Sequence, residues 1–77
     1  MTIDKVKKLV SAQLNKPVDK IQENSRLIED LGADSLDIME MLLALETEFG
    51  ISIPDEDTPR MATIKGVVEV IEEKLAK

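Results

Sequence analysis

The sequence predicts an all-α fold: a small antiparallel bundle of three main helices with a short fourth helix and a long first loop. Three observations lead there. Apolar residues recur with a helical period in three separate stretches, beginning near Thr2, Leu36 and Ile64. The one alternating run, Ile51-Ser52-Ile53, stops at Pro54 and is too short for a strand. The 77 residues suffice for one modest core, so 1–77 is read as a single domain.

In the first stretch Ile3, Val6, Leu9 and Val10 share a side, with Lys5, Lys7 and Lys8 mostly off it, which predicts an amphipathic helix from Thr2 to about Leu14. Asn15 and Pro17 end it. The connection from Lys16 to Ala33 holds the loop formers Pro17, Asn24, Ser25 and Gly32. A loop this long in a compact domain is usually functional or partly structured. Its apolar residues Val18, Ile21, Leu27, Ile28 and Leu31 are expected to pack on the core. Leu36 to Phe49 is dense in Leu, Met, Glu and Ala and reads as the strongest helix, stopped by Gly50. Asp55 to Arg60 predicts a short acidic helical turn limited by Pro59. Thr63 is the expected N-cap of a last helix, whose inner stripe is Ile64, Val67, Val68, Ile71 and Leu75.

Composition narrows the function. Ten basic and sixteen acidic side chains give a formal charge of −6, which disfavours nucleic acid and anionic membrane and favours a cationic protein surface as partner. The chain has no Cys and no His, so thiolate chemistry, the commonest general base and the commonest zinc ligand are all missing. No metal site is expected. The core must be aliphatic, because a single Phe is the only aromatic residue. No segment approaches the roughly 20 apolar residues that span a bilayer. The charged opening Ile3-Asp4-Lys5-Val6 lacks the apolar run of a signal peptide, so a cytoplasmic protein is expected, with an organellar mature form also compatible.

The segment Asp30 to Asp37 lies at the start of the second helix. Asp34 can cap that helix, and Asp37 three residues on can complete a capping-box-like pair. Ser35 then becomes the first helical residue, with its hydroxyl free to face solvent beside unpaired backbone N–H groups and the positive end of the helix dipole. A phosphate ester there would sit in a favourable field. The plainer reading is that Asp34-Ser35 is a redundant cap. Farther along, Ile38, Met41, Leu42, Leu45 and Phe49 form one broad face at about 100° per residue. Leu36, Met39 and Leu43 fall on another, flanked by Glu40, Glu46 and Thr47. Ser35 heads this second stripe. It is either a docking surface rimmed by carboxylates or a face covered by the first loop.

These residues resemble acyl carrier proteins of the fatty-acid type. The resemblance rests on length, acidity, helix order, the stretch Asp-Leu-Gly-Ala-Asp-Ser-Leu-Asp from Asp30, Glu40, the run Ala44-Leu45-Glu46 to Phe49, and Ile53-Pro54-Asp55-Glu56. It implies a 4'-phosphopantetheine arm moved from coenzyme A onto the Ser35 oxygen by a phosphopantetheinyl transferase, with Asp34 and Leu36 adjoining the attachment. The arm's thiol would carry growing acyl chains as thioesters in fatty acid biosynthesis, and would be the only thiol of a chain that lacks Cys. Partners would be the transferase and acyl-processing enzymes with basic patches, docking at Asp37, Met39, Glu40, Leu43 and Glu46. An acyl chain would retreat among Met41, Leu45, Ile53, Met61, Val67 and Ile71, which are on the plainer reading simply core. A monomer that is not itself an enzyme is expected. Thr47, where relatives often have another acid, and Pro59, in the short helix, depart from the pattern.

Other carriers, for polyketide, peptidyl or D-alanyl groups, would use the same arm; Asp34, Asp37 and the negative charge favour the fatty-acid type. An EF-hand beginning at Asp55 and Asp57 fails, because its sixth position is Arg60 and its twelfth is Gly66. A serine enzyme fails for want of an activating base beside Ser35.

Overall fold

A computed structural model describes residues 1–76. Lys77, one of the basic residues of the C-terminal end, lies outside the described residues. Three α-helices form the body: α1 (Thr2–Leu14), α2 (Ser35–Phe49) and α3 (Ile64–Leu75). Two 3-10 segments, Val18–Lys20 and Asp55–Met61, sit in the connections. Helix α1 packs against both α2 and α3, and the second 3-10 segment packs against α3.

Each helix ends where its sequence can satisfy the last backbone groups. Asn15 adopts a left-handed conformation at φ 56° and closes α1, its N–H donating to the Ser11 carbonyl. Asparagine tolerates this conformation better than most residues. The Ser11 hydroxyl also donates to the Lys16 carbonyl. Gly50, at φ 64°, closes α2 in the same way. Thr63 caps α3 by accepting the Gly66 N–H at 3.1 Å.

The core is aliphatic and methionine-bearing. Val6 and Val10 from α1, Met41 and Leu45 from α2, and Ile64, Val67, Val70 and Ile71 from α3 are fully buried. The expected stripe of α3 is shifted by its packing: Val70 is buried, Val68 is half-buried and Leu75 is exposed. Being flanked by α1 and by the 3-10 segment, α3 buries more than one line of side chains, while its last turn runs past the core.

The first loop is held by backbone bonds to the start of α3. The Leu27 N–H donates to the Ala62 carbonyl at 2.9 Å, Ile64 to Ser25 at 3.1 Å and Lys65 to Glu23 at 2.8 Å, around one antiparallel bridge between Arg26 and Thr63. Ile21, Leu27, Leu31 and Ala33 turn inward. Val18 and Ile28, expected to join them, are exposed. Val18 begins a one-turn 3-10 segment that buries none of its residues, and Ile28 points away from the core-facing Leu27 that precedes it. The expected short fourth helix is a 3-10 segment running through Met61, with Pro59 inside it. Proline lacks the N–H that would continue an α-helical ladder.

Candidate functional site

The head of α2 is built by two aspartates. Asp34 is extended, at φ −104° and ψ −176°, and its Oδ1 accepts the Asp37 N–H at 2.9 Å. Asp37 Oδ2 in turn accepts the Asp34 N–H at 3.2 Å. This reciprocal box satisfies two backbone donors at the helix start. Ser35 is therefore released from capping: it is the first residue of α2 and is exposed, and no hydrogen bond engages its hydroxyl among the described residues. The Ser35 and Leu36 N–H groups beside it take no part in the box. An oxyanion joined to Ser35 Oγ would lie at the positive end of a fifteen-residue helix.

The approach to this site is equally ordered. Gly32, at φ 74°, turns the chain, and its N–H donates to Ile28. The Arg26 N–H donates to Asp30 Oδ2 at 2.8 Å, and the Arg26 guanidinium donates to both Asp30 oxygens at 3.3 Å. The hydrogen bonds from Arg26 hold the Asp30 carboxyl below its ordinary pKa, and Asp30, with help from Glu29, raises that of Arg26.

The second stripe of α2 is open. Leu36, Met39 and Leu43 are 60–62% exposed, so the first loop does not cover them. Glu40 is exposed beside them, and its Oε1 accepts from Gln13 Nε2 at 3.2 Å, a link between α1 and α2. Asp37 is half-buried by its capping role. Glu46 has a job the sequence did not reveal: half-buried, it accepts the Ile53 N–H at 2.7 Å through Oε2, tying the end of α2 to the segment after it.

Met41, Leu45, Ile53, Met61, Val67 and Ile71 come together as buried core. A groove of about 220 Å³ opens to one side of them, between the first loop, the head of α2 and the second 3-10 segment. Its walls include Leu27, Ile28, Ile38, Pro59, Met61 and Ala62, so Met61 alone is shared with the six. Ile38 is one helical turn beyond Ser35. Nothing in the local sequence marks Ile28 for this wall; its exposure, set by the path of the first loop, makes it available to line the groove.

Residues 4–71 match the family model described as "Phosphopantetheine attachment site". This defines the chain as a domain of the class that bears a phosphopantetheine arm. The acyl carrier protein of Zymomonas mobilis is 44% identical over 75 residues, covering 97% of this chain and 96% of that one. That of Wolinella succinogenes is 48% identical over 69 residues, covering 90% and 91%. A solved structure of the acyl carrier protein from Enterococcus faecalis superposes with a TM-score of 0.80 at 34% identity, covering 95% of this chain and 92% of that one. The chain belongs to the acyl carrier protein family.

Proposed function

We propose that this chain carries growing acyl groups for fatty acid biosynthesis as thioesters on a phosphopantetheine arm esterified to Ser35 Oγ. The observation that carries the reading is the exposed, unbonded Ser35 hydroxyl at the first position of α2, with capping already supplied by Asp34 and Asp37. The residues fit the group. Ser35 supplies the ester oxygen, α2 directs its N-terminal field at the phosphate, and the neighbouring Leu36 gives the arm's root an apolar edge. When attached, the arm supplies the thiol that holds the acyl group.

The chain brings no His, and Asp34 and Asp37 are occupied with each other's backbone. Removal of the Ser35 proton therefore falls to the transferase, and this protein acts as a carrier rather than an enzyme. Partners with basic patches approach the head of α2, where Asp37 and Glu40 rim Leu36, Met39 and Leu43; Glu46 contributes charge from its tethered position. No described helix is long and apolar enough to cross a membrane. A cytoplasmic monomer serving soluble enzymes fits this docking mode. An acyl chain folding back along α2 from Ser35 meets the groove at Ile38 and, through Met61, the core of Met41, Leu45, Ile53, Val67 and Ile71. Methionines at two of those positions give the walls room to adapt.

The test is incubation of wild type and Ser35→Ala with coenzyme A, magnesium and a phosphopantetheinyl transferase, read by intact mass. Wild type should gain one arm, located on Ser35. Ser35→Ala should gain none and keep its helical circular dichroism. An arm on Ser35→Ala would overturn the site. The acyl load recovered from native protein separates the fatty-acid role from polyketide, peptidyl or D-alanyl carriage.

A further inference from the structure

The groove beside Ser35 has one wall whose position depends on a single missing atom. The second 3-10 segment lies directly on Gly66 of α3. A Cβ at that position would stand 2.0 Å from the Arg60 carbonyl oxygen and 3.1 Å from its carbonyl carbon. Carbon and oxygen in close non-bonded contact stay at about 3.3 Å or more. The obstacle is backbone, so a side chain at 66 could be admitted only by moving the segment. Gly32 and Gly50 answer to left-handed turns, but Gly66 has no such φ. Close approach is what requires glycine here, inside a helix where glycine is otherwise unfavourable.

Side chains fasten the same segment to the same helix. The Arg60 guanidinium pairs with Glu73, its Nη1 donating at 2.9 Å. Lys74 Nζ reaches Asp57 at 2.9 Å, where the Asp57 side chain is only 14% exposed. Arg60 also lies 3.7 Å from Asp57. The segment so held supplies Thr58, Pro59 and Met61 to the groove, facing Ile28 from the first loop and Ile38 from α2.

We propose that Gly66 is a positioning residue that determines acyl chain length: by letting the Arg60 carbonyl close on α3, it holds Pro59 and Met61 back from Ile28 and Ile38. The inference rests on the acyl-carrier reading and deepens it. Gly66→Ala pushes the Arg60 peptide off α3 by about 1.3 Å or more. The groove narrows, and the longest chain it shelters becomes shorter. Each methylene left in water instead of in the groove lowers the sheltered population about fourfold.

The experiment uses the holo-protein loaded with saturated acyl groups of increasing length. The readout is the rise in melting temperature over the same protein's unacylated holo form, which removes any general loss of stability in the variant. Wild type should gain with each added carbon pair up to a limit. In Gly66→Ala the limit should fall to a shorter chain while attachment of the arm is unchanged. The same limit in both proteins overturns the role of Gly66 and leaves the carrier reading standing. Absence of any length-dependent gain in wild type overturns the sheltering groove and with it the role of Gly66, whereas failure of the arm to attach to Ser35 overturns the carrier reading. Should Gly66→Ala not fold, the pair Glu73→Gln and Lys74→Gln loosens the same seat without adding an atom. A lowered limit there supports the proposal, and an unchanged one overturns it.

Discussion

Helix α2 carries two apolar stripes made of the same residue types, and they have opposite fates. Met41 and Leu45 are fully buried, whereas Leu36, Met39 and Leu43 remain largely in water. Neither propensity nor hydropathy separates Leu43 from Leu45. What separates them is which side α1 and the core cover. The buried stripe supports the fold, and the exposed stripe, beginning beside Ser35, is the surface proposed above for partner docking.

Truncating one residue from each stripe should separate their roles most clearly. Leu45→Ala should cost about 2–5 kcal/mol, because it removes buried methyl groups and leaves a cavity. A domain of this size has only roughly 0.05–0.15 kcal/mol of stability per residue, so that loss is a large share of the total. Leu43→Ala should change stability by no more than about 0.5 kcal/mol. Urea unfolding of the two variants checks both values. Equal losses would mean that the exposed stripe is covered in solution.

A charge change tests what the exposed stripe is for. Helix α2 holds no Lys or Arg from Leu36 to Phe49. Glu40→Lys should slow association with the transferase about tenfold or more at low salt, and the difference should shrink as salt is added. It also removes the bond from Gln13, a surface contact of small stability value. Stopped-flow association at two ionic strengths decides the point: equal rates at low salt would move the docking face elsewhere. Leu36→Ala should act in the other kinetic arm, leaving association nearly unchanged and speeding dissociation.

The smallest expected effect concerns the turn that leads to Ser35. The Asp30 carboxyl is held below its ordinary pKa by Arg26. Its contribution to stability is therefore complete above the unfolded-state value and is lost as pH falls through the lowered folded value. Asp30→Asn should flatten the acid side of the melting-temperature profile, with little change in its slope near neutrality. Both groups are exposed, so the change is a modest one. An identical acid limb in wild type and Asp30→Asn would show that this pair does not contribute.

Much of this architecture is legible in local sequence because the interactions that set it are local. The period of apolar residues, Asn15 and Gly50 at helix ends, Thr63 before α3 and the Asp34–Asp37 box each act within four residues or so. So does the release of Ser35 from capping. Residues whose partners lie far along the chain were not legible. Glu46 reads as part of the acidic docking rim, yet it also binds the Ile53 N–H seven residues on. Val18 and Ile28 read as core, yet the path of the first loop, pinned to α3 by backbone bonds, turns them outward. The six residues expected to receive an acyl chain are buried in the core, and of them only Met61 also lines the groove, which forms between Ile28 and Pro59.

Three helices, their ends and an exposed serine at the head of the second follow from local sequence, because capping and periodicity are short-range. Which stripe of α2 stays in water, where the groove opens and why residue 66 is glycine follow from packing instead. Those outcomes depend on how closely segments distant in the chain approach one another, as Arg60 and Gly66 do.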